Sequence, residues 1–284
     1  MGNADRVLVV GDAMIDALGA ADQVTADEVC RAGHVLGALH LQPGGAGLIA
    51  AAAARDAGAV EVALWTSVGA DVGAEIIRSR LRQLGVVDLL HTDPERGTGT
   101  VVCVQLKDGQ RFMLADPGAN SNAGSVPDRV QDFARTCGVL YVSGYVLQSP
   151  DRASRVEGLI DVCRGRGGTV VLDLVPHRIE CLVPRLRRVL DRTDVLVGEE
   201  PTFRKVFDQS GAAPGDVAQL AAYVTTRHRM ALIRHTNDSE LLATAGGDRV
   251  WFDTGFSGAA ADQQAGFLDR RAMHVLLARL RRAG

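Results

Sequence analysis

The feature that most constrains the fold is a series of short, unbroken apolar runs: Arg6-Val-Leu-Val-Val10, Val62-Ala-Leu-Trp65, Val139-Leu-Tyr-Val142, Thr169-Val-Val-Leu172, Val195-Leu-Val197 and Ala231-Leu-Ile233. A strand covered on both faces reads as a continuous apolar run, whereas a half-exposed strand alternates. Helical stretches separate these runs, the order of repeated β-α-β units. The pattern predicts an α/β fold built on a doubly wound, mostly parallel sheet flanked by helices. The first run stops at Gly11-Asp12, as a buried strand does at the carboxyl edge of its sheet, where ligands of such folds gather. At 284 residues and 46% hydrophobic content the chain can bury one large core, so a single domain over residues 1–284 is expected.

The intervening segments fill in this outline. Pro43-Gly-Gly45 opens an Ala-rich helix through Ala57 that Gly58 closes. From Ala74 to Leu84, Ile76, Ile77, Leu81 and Leu84 recur at helical spacing with arginines opposite, and Gly85 ends the helix. Thr98 to Leu106 alternates, Lys107-Asp-Gly109 turns, and Arg111-Phe-Met-Leu114 returns, which predicts an antiparallel hairpin. With the weak alternation of His34 to Leu41, it implies a small β lid inserted at approximately residues 17–43 and 97–115. The edge from Val101 to Leu106 is one that a second subunit could pair with.

Charge and composition exclude several classes. A net charge of −3 and a pI near 6.2 draw the chain to neither nucleic acid nor an anionic membrane, so no partner of either kind is expected. The five cysteines are odd in number, widely spaced and free of any C-x-x-C pair, which fits a reduced, cytoplasmic setting. Neither they nor the seven histidines have metal-ligand spacing. The N-terminus lacks a signal-peptide core, and no apolar run approaches the length of a membrane span.

Near the end, Asp253-Thr-Gly-Phe-Ser-Gly-Ala-Ala-Ala-Asp-Gln-Gln-Ala-Gly-Phe-Leu268 runs a loop of small residues into an apolar helix. Bare N–H groups at a helix N-terminus, backed by the helix dipole, suit an anion, and a carboxylate beside them suits proton removal. The segment resembles the Asp-Thr-Thr-Gly-Ala-Gly-Asp signature of the ribokinase-like (PfkB) carbohydrate kinases. The order of elements resembles that family over nearly the whole chain. The resemblance implies a ribokinase-like fold, a sugar, nucleoside or related metabolite as ligand, ATP and Mg2+ as cofactors of an active member, and a homodimer paired through the lid.

Carried across residue by residue, the resemblance is uneven. Aligned on Ala265-Gly266-Phe267-Leu268, Ala260 stands at the family's second glycine and Ala261 at its catalytic Asp, with Asp262 one residue later. Gly258, Ala259 and Ala260 are then the candidate anion hole. Asp262 is the candidate base only if an insertion shifts it into place, since one residue turns a helix by about 100°. On the substrate side, Gly11-Asp-Ala-Met-Ile-Asp16 matches the family's Gly-(Asp/Glu)-x-x-x-Asp and makes Asp16, with Asp12, a candidate for gripping hydroxyls. Gly44 and Gly45 match its Gly-Gly-x-x-Asn, whose Asn is here Leu48. Asn120 of Pro117-Gly-Ala-Asn120 and Asp173, with Arg178 as a partner over the cleft, complete the candidate pocket.

The nucleotide side departs further. Gly198-Glu-Glu-Pro201 replaces an Asn-x-x-Glu, leaving Glu199 and Glu200 as the candidates for metal. Arg234-His-Thr-Asn-Asp-Ser-Glu240 replaces a Thr-x-Gly-x-x-Gly loop and holds no glycine. Sixteen residues follow Leu268, fewer than the resemblance implies for the wall of an adenine pocket. The leading expectation is a PfkB-like protein that keeps a small-molecule cleft while ATP-dependent phosphotransfer is weak or lost, as in a pseudokinase or a repurposed enzyme. The alternative is an active kinase that phosphorylates a hydroxymethyl group with Asp262 as base.

Overall fold

The structure, a computed structural model, describes residues 3–253 and 273–279 apart from 33, 35, 109, 123, 178, 208–214, 237 and 238. The first half of the chain forms β1 (Asn3–Val10), β2 (Met14–Ala21), α1 (Ala26–Ala32), β3 (Ala38–Gly44), α2 (Ala46–Asp56), β4 (Glu61–Trp65), β5 (Ser67–Gly69), α3 (Val72–Leu84), β6 (Val87–Asp88), β7 (His91–Asp93), β8 (Gly99–Leu106) and β9 (Arg111–Asp116). The second half forms α4 (Asp128–Thr136), β10 (Cys137–Ser143), α5 (Pro150–Arg164), β11 (Thr169–Leu174), α6 (Ile179–Leu190), β12 (Val195–Glu199), α7 (Glu200–Phe207), α8 (Val217–Thr225), β13 (Met230–Thr236), β14 (Ser239–Thr244) and β15 (Arg249–Asp253).

Nine strands make the central sheet in the order β15-β14-β13-β12-β11-β10-β1-β4-β6. All pairs from β6 to β13 are parallel, and β14 and β15 add an antiparallel edge. Each apolar run supplies side chains to both faces. Leu8, Val10, Leu140, Leu172 and Leu196 pack on one side with α4 to α8. Val7, Val9, Tyr141, Val171 and Val197 pack on the other with α2, α3 and the helix at 273–279, through Met273, Leu276 and Leu277. This is the doubly wound, mostly parallel sheet that the runs predict.

A second sheet of four strands, ordered β3-β2-β8-β9, stands at the carboxyl edge of the first. Its hairpin of β8 and β9 is the one expected, but β2 runs parallel to β8, so the sheet is mixed. Pro43 and Gly44 complete β3 instead of opening α2. Pro43 is tolerated because β3 is an edge strand, where a missing N–H costs no ladder bond. Sequence periodicity also missed α1, and it missed β14 and β15, whose turn uses Gly247 at φ 91. Among the described residues no helix is long and apolar enough to cross a membrane.

Local chemistry sets the helix ends that face the second sheet. The Asp71 carboxylate accepts the Ala74 N–H at 3.0 Å to start α3, and Gly85, at φ 64, closes it. No side chain caps α2; the N–H groups of Gly47 and Leu48 donate to the Asp12 carbonyl at 2.8 and 3.3 Å. That contact needs two glycines, since a Cβ on Gly47 would lie 2.5 Å from the Gly11 carbonyl carbon. Gly47→Ala is therefore expected to lower stability by about 1–3 kcal/mol through overpacking. Gly158→Ala, in the middle of α5 with nothing near its added Cβ, should be neutral or stabilising. Thermal unfolding of both variants checks the pair; equal melting temperatures would show that α2 and β1 are not in close contact.

Candidate functional site

The carboxyl edge of the central sheet and the base of the second sheet enclose Asp16. It lies on β2, is 5% exposed, and its Oδ1 is buried without a hydrogen-bond partner. Burial pushes its pKa from 3.8 up to about 6, and a hydrogen bond from the Gly45 backbone works in the opposite direction. The neighbouring glycines make room for this carboxylate. A Cβ on Gly44 would collide with Asp16, and Gly45, at φ 88, would put one 2.6 Å from the Asp12 carbonyl oxygen. An ionised oxygen held out of water without a donor is a disfavoured arrangement, and the hydroxyls of a polyol are donors of the right kind.

Asp12 and Asn120 lie close by, with Asp12 Oδ1 and the Asn120 side-chain amide taken up by the protein. Asp12 Oδ1 accepts from Arg152 Nη1 at 2.7 Å, and both residues are buried. Arg152 also donates to the Asn120 carbonyl. The Asn120 amide donates to the Ala13 carbonyl at 3.0 Å, and its Oδ1 accepts from the Ala13 N–H at 3.4 Å and the Thr66 hydroxyl at 2.7 Å. Leu48, where the family resemblance has Asn, is 2% exposed and belongs to the core packed on Val9 and Leu64. Asp173, next to last in β11, stands in register opposite Ser143 at the end of β10, and both are buried. Its expected partner Arg178 lies outside the described residues. The Ser143 hydroxyl, buried without a hydrogen-bond partner, is a second polar group at this edge.

At the other end of the edge the carboxylates are engaged by cations. Glu200 accepts from Arg204 Nε at 2.8 Å and also meets His235 Nδ1. Burial works to raise the Glu200 pKa, but the hydrogen bonds and charges of His235 and Arg204 outweigh it and hold the carboxyl below its usual range. Glu199 sits 3.6 Å from Arg234, which is also 3.9 Å from the fully buried Glu240. His235 packs edge-on against Trp251, ring centres 5.9 Å apart. The described residues of the glycine-free segment, 234–236 and 239–240, belong to the sheet: pairing runs out to Thr236 opposite Ser239, and their hydroxyls lie 2.8 Å apart. Among the described residues, no group of three metal-ligating side chains forms. Mg2+ takes oxygen ligands in near-octahedral array, so Glu199 and Glu200, tied to Arg234, Arg204 and His235, are a poor donor set for it.

Gly258, Ala259, Ala260, Ala261 and Asp262 lie outside the described residues. Sequence reasoning passed over Arg152 and Thr66, because neither stands in a motif and Arg152 meets Asp12 across 140 positions. The rule that buried charges are paired would have asked for a cation near Asp12 without naming which.

The raised pKa of Asp16 has a definite sign. The native state binds this proton more tightly than the unfolded chain, so the contribution of Asp16 to stability is lost as pH rises from about 3.8 to about 6. Asp16→Asn should therefore be more stable than the parent above pH 6, by up to about 3 kcal/mol, and should lose that advantage near pH 4. Melting curves across this range check it; a difference independent of pH would mean that the carboxyl titrates normally.

With this geometry in hand, comparison places the chain among known proteins. No curated protein sequence matches it. Among solved structures it is similar to adenosine kinase from Anopheles gambiae in complex with P1,P4-di(adenosine-5) tetraphosphate, at 16% identity, TM-score 0.78, covering 99% of this chain and 94% of that one. It is similar to Trypanosoma brucei brucei adenosine kinase, at 18% identity, TM-score 0.80, covering 97% and 92%. It is also similar to Arabidopsis thaliana ribokinase complexed with ribose and ATP, at 18% identity, TM-score 0.73, covering 97% and 86%. At these identities the likeness establishes a ribokinase-like fold. The family model for pfkB family carbohydrate kinases matches residues 4–254, so the chain belongs to the pfkB family.

Proposed function

We propose that this chain binds a hydroxyl-rich small molecule, a sugar, nucleoside or related metabolite, beneath the second sheet, and that ATP-dependent phosphotransfer is weak or lost. One contrast carries the reading. Asp16 keeps a buried carboxylate oxygen without a donor, while Glu199 and Glu200 at the nucleotide end already have Arg234, Arg204 and His235 as neighbours. Seating a metal-bound triphosphate there would separate these pairs, at a cost of up to about 1 kcal/mol each, since Glu199 and His235 are 41% exposed. Gly44 and Gly45 leave room for the Asp16 carboxylate and the Asp12 carbonyl, and Asp16 orients the hydroxyls of the ligand. Among the related structures, the Anopheles adenosine kinase holds P1,P4-di(adenosine-5) tetraphosphate and the Arabidopsis ribokinase holds ribose and ATP, and a nucleoside and a sugar are the ligand class proposed here.

The second reading, an active kinase with Asp262 as base, Gly258 to Ala260 as anion hole and Glu199 or Glu200 near Mg2+, is favoured by the family alone. Incubation with Mg-ATP and either ribose or adenosine decides between them. The expected result is no ADP above the enzyme-free rate, together with calorimetric binding of at least one acceptor that Asp16→Asn abolishes. Turnover that disappears in Asp262→Asn would replace the first reading with the second.

We further propose a homodimer through the second sheet. Register places Leu41, Ala17, Val102 and Leu114 in one cross-strand row and Leu39, Gly19, Val104 and Phe112 in the next, all on one face. Leu39, Leu41, Phe112 and Leu114 are 55–69% exposed, and a hollow of about 310 Å3 lies beside them. An apolar face of this kind marks an association surface. Sedimentation should give a dimer that Phe112→Arg with Leu114→Arg converts to monomer; a monomeric parent would remove the proposal.

A further inference from the structure

The chain passes between the two sheets at four places: 11–13 from β1 to β2, residue 45 from β3 to α2, 94–98 into β8, and 117–120 out of β9. All four are stitched together. The Asp12 carbonyl receives Gly47 and Leu48 N–H at 2.8 and 3.3 Å, and the Ala119 N–H donates to Gly97 at 2.8 Å. The Asn120 amide clasps both backbone groups of Ala13. Side chains from outside also reach this knot: the Thr66 hydroxyl donates to Asn120 Oδ1 at 2.7 Å, Asp71 accepts the Thr98 N–H at 2.7 Å, and Arg152 joins two crossings. Arg152, in the first turn of α5, is 6% exposed and spends Nη1 on Asp12 of the first crossing and on the Asn120 carbonyl of the last.

We infer that Arg152 is a positioning residue that sets the angle of the lid sheet over the cleft by tying two of its roots to α5. The inference rests on the reading that a ligand occupies the cleft beside Asp16. Asp16 lies on β2 just beyond Ala13, so a rotation at 12–13 carries its carboxylate with it. A buried ion pair adds little net stability over well-packed apolar groups, but it can select one arrangement among several. Here the arrangement selected is the joint between two sheets, since the acceptors of Arg152 belong to separate crossings.

Hydrogen exchange followed by mass spectrometry on the full chain tests this without a ligand. Arg152→Gln should speed exchange in β2 and β8 by about tenfold while β10 and β11 stay close to the parent. The variant Asp12→Asn with Arg152→Gln leaves no unpaired buried charge, so it remains informative if the single variant fails to fold. It should recover thermal stability and still exchange fast in the lid. Unchanged lid exchange, acceleration shared equally by β10 and β11, or lid protection regained in the double variant would each overturn the assignment. Adenosine and ribose provide a separate arm: if neither slows lid exchange in the parent, the proposed ligand class fails, while the contrast between variants alone judges Arg152.

Discussion

A polar group shut away from water has to find its partner inside the protein, and at the joint between the two sheets that demand falls on the amide of Asn120. It answers both backbone groups of Ala13 and the hydroxyl of Thr66, at the ends of β1 and β4. Glycine makes the closeness possible: a Cβ on Gly99 would meet the Asn120 amide nitrogen at 2.7 Å, and Gly118, at φ 50, would drive one into the Gly97 carbonyl. Without that packing, the buried donors and acceptors of four chain crossings would stand unpaired, each at a penalty of about 1–3 kcal/mol. The second sheet is held over the first by this accounting more than by a core of its own.

The same accounting divides the cleft into two unlike halves. Near Asp16 the protein leaves a carboxylate oxygen unanswered, and burial alone lifts the proton affinity of the group. Around Glu199 and Glu200 it places Arg234 and Arg204, with His235 beside Glu200. A vacancy for hydrogen-bond donors invites hydroxyls. Carboxylates already tied to arginine and histidine are a weaker attraction for a hard cation. The two halves thus differ in what they can gain from a ligand, even though both sit at the carboxyl edge where α/β folds bind one.

How much of this was legible in the sequence follows from the range of each interaction. The strands of the central sheet announce themselves because burial on two faces demands unbroken apolar runs, so β1, β4, β10, β11, β12 and β13 stand where the runs are. Asp16, Gly44 and Gly45 were readable because short motifs bring them within one sheet register of each other. The antiparallel edge was not: Glu240 is polar yet fully buried, because Arg234 lies opposite it in register, and such pairing leaves no local trace. Arg152 was hidden for the same reason, and helix α1 because seven residues are too few to show a period. Asn120 stood out as a turn residue, but only the packed joint reveals that its amide is committed to the backbone.

The lid has little else to fix it. All of β9 is exposed, as is most of β3, and only a few of its side chains, among them Asp16, Leu18, Ala21 and Leu106, are buried. A small sheet with so little covered surface is marginal by itself. On the proposed function its position is set by three terms: the stitched roots, the hydroxyls that would satisfy Asp16 on the inner side, and the second subunit that would cover Leu39, Leu41, Phe112 and Leu114 on the apolar face. Because the last two act on the same element, each must change the affinity for the other by an equal factor if lid order is what both require. The proposed cleft ligand and the proposed second subunit would then be linked through a sheet too thin to be indifferent to either.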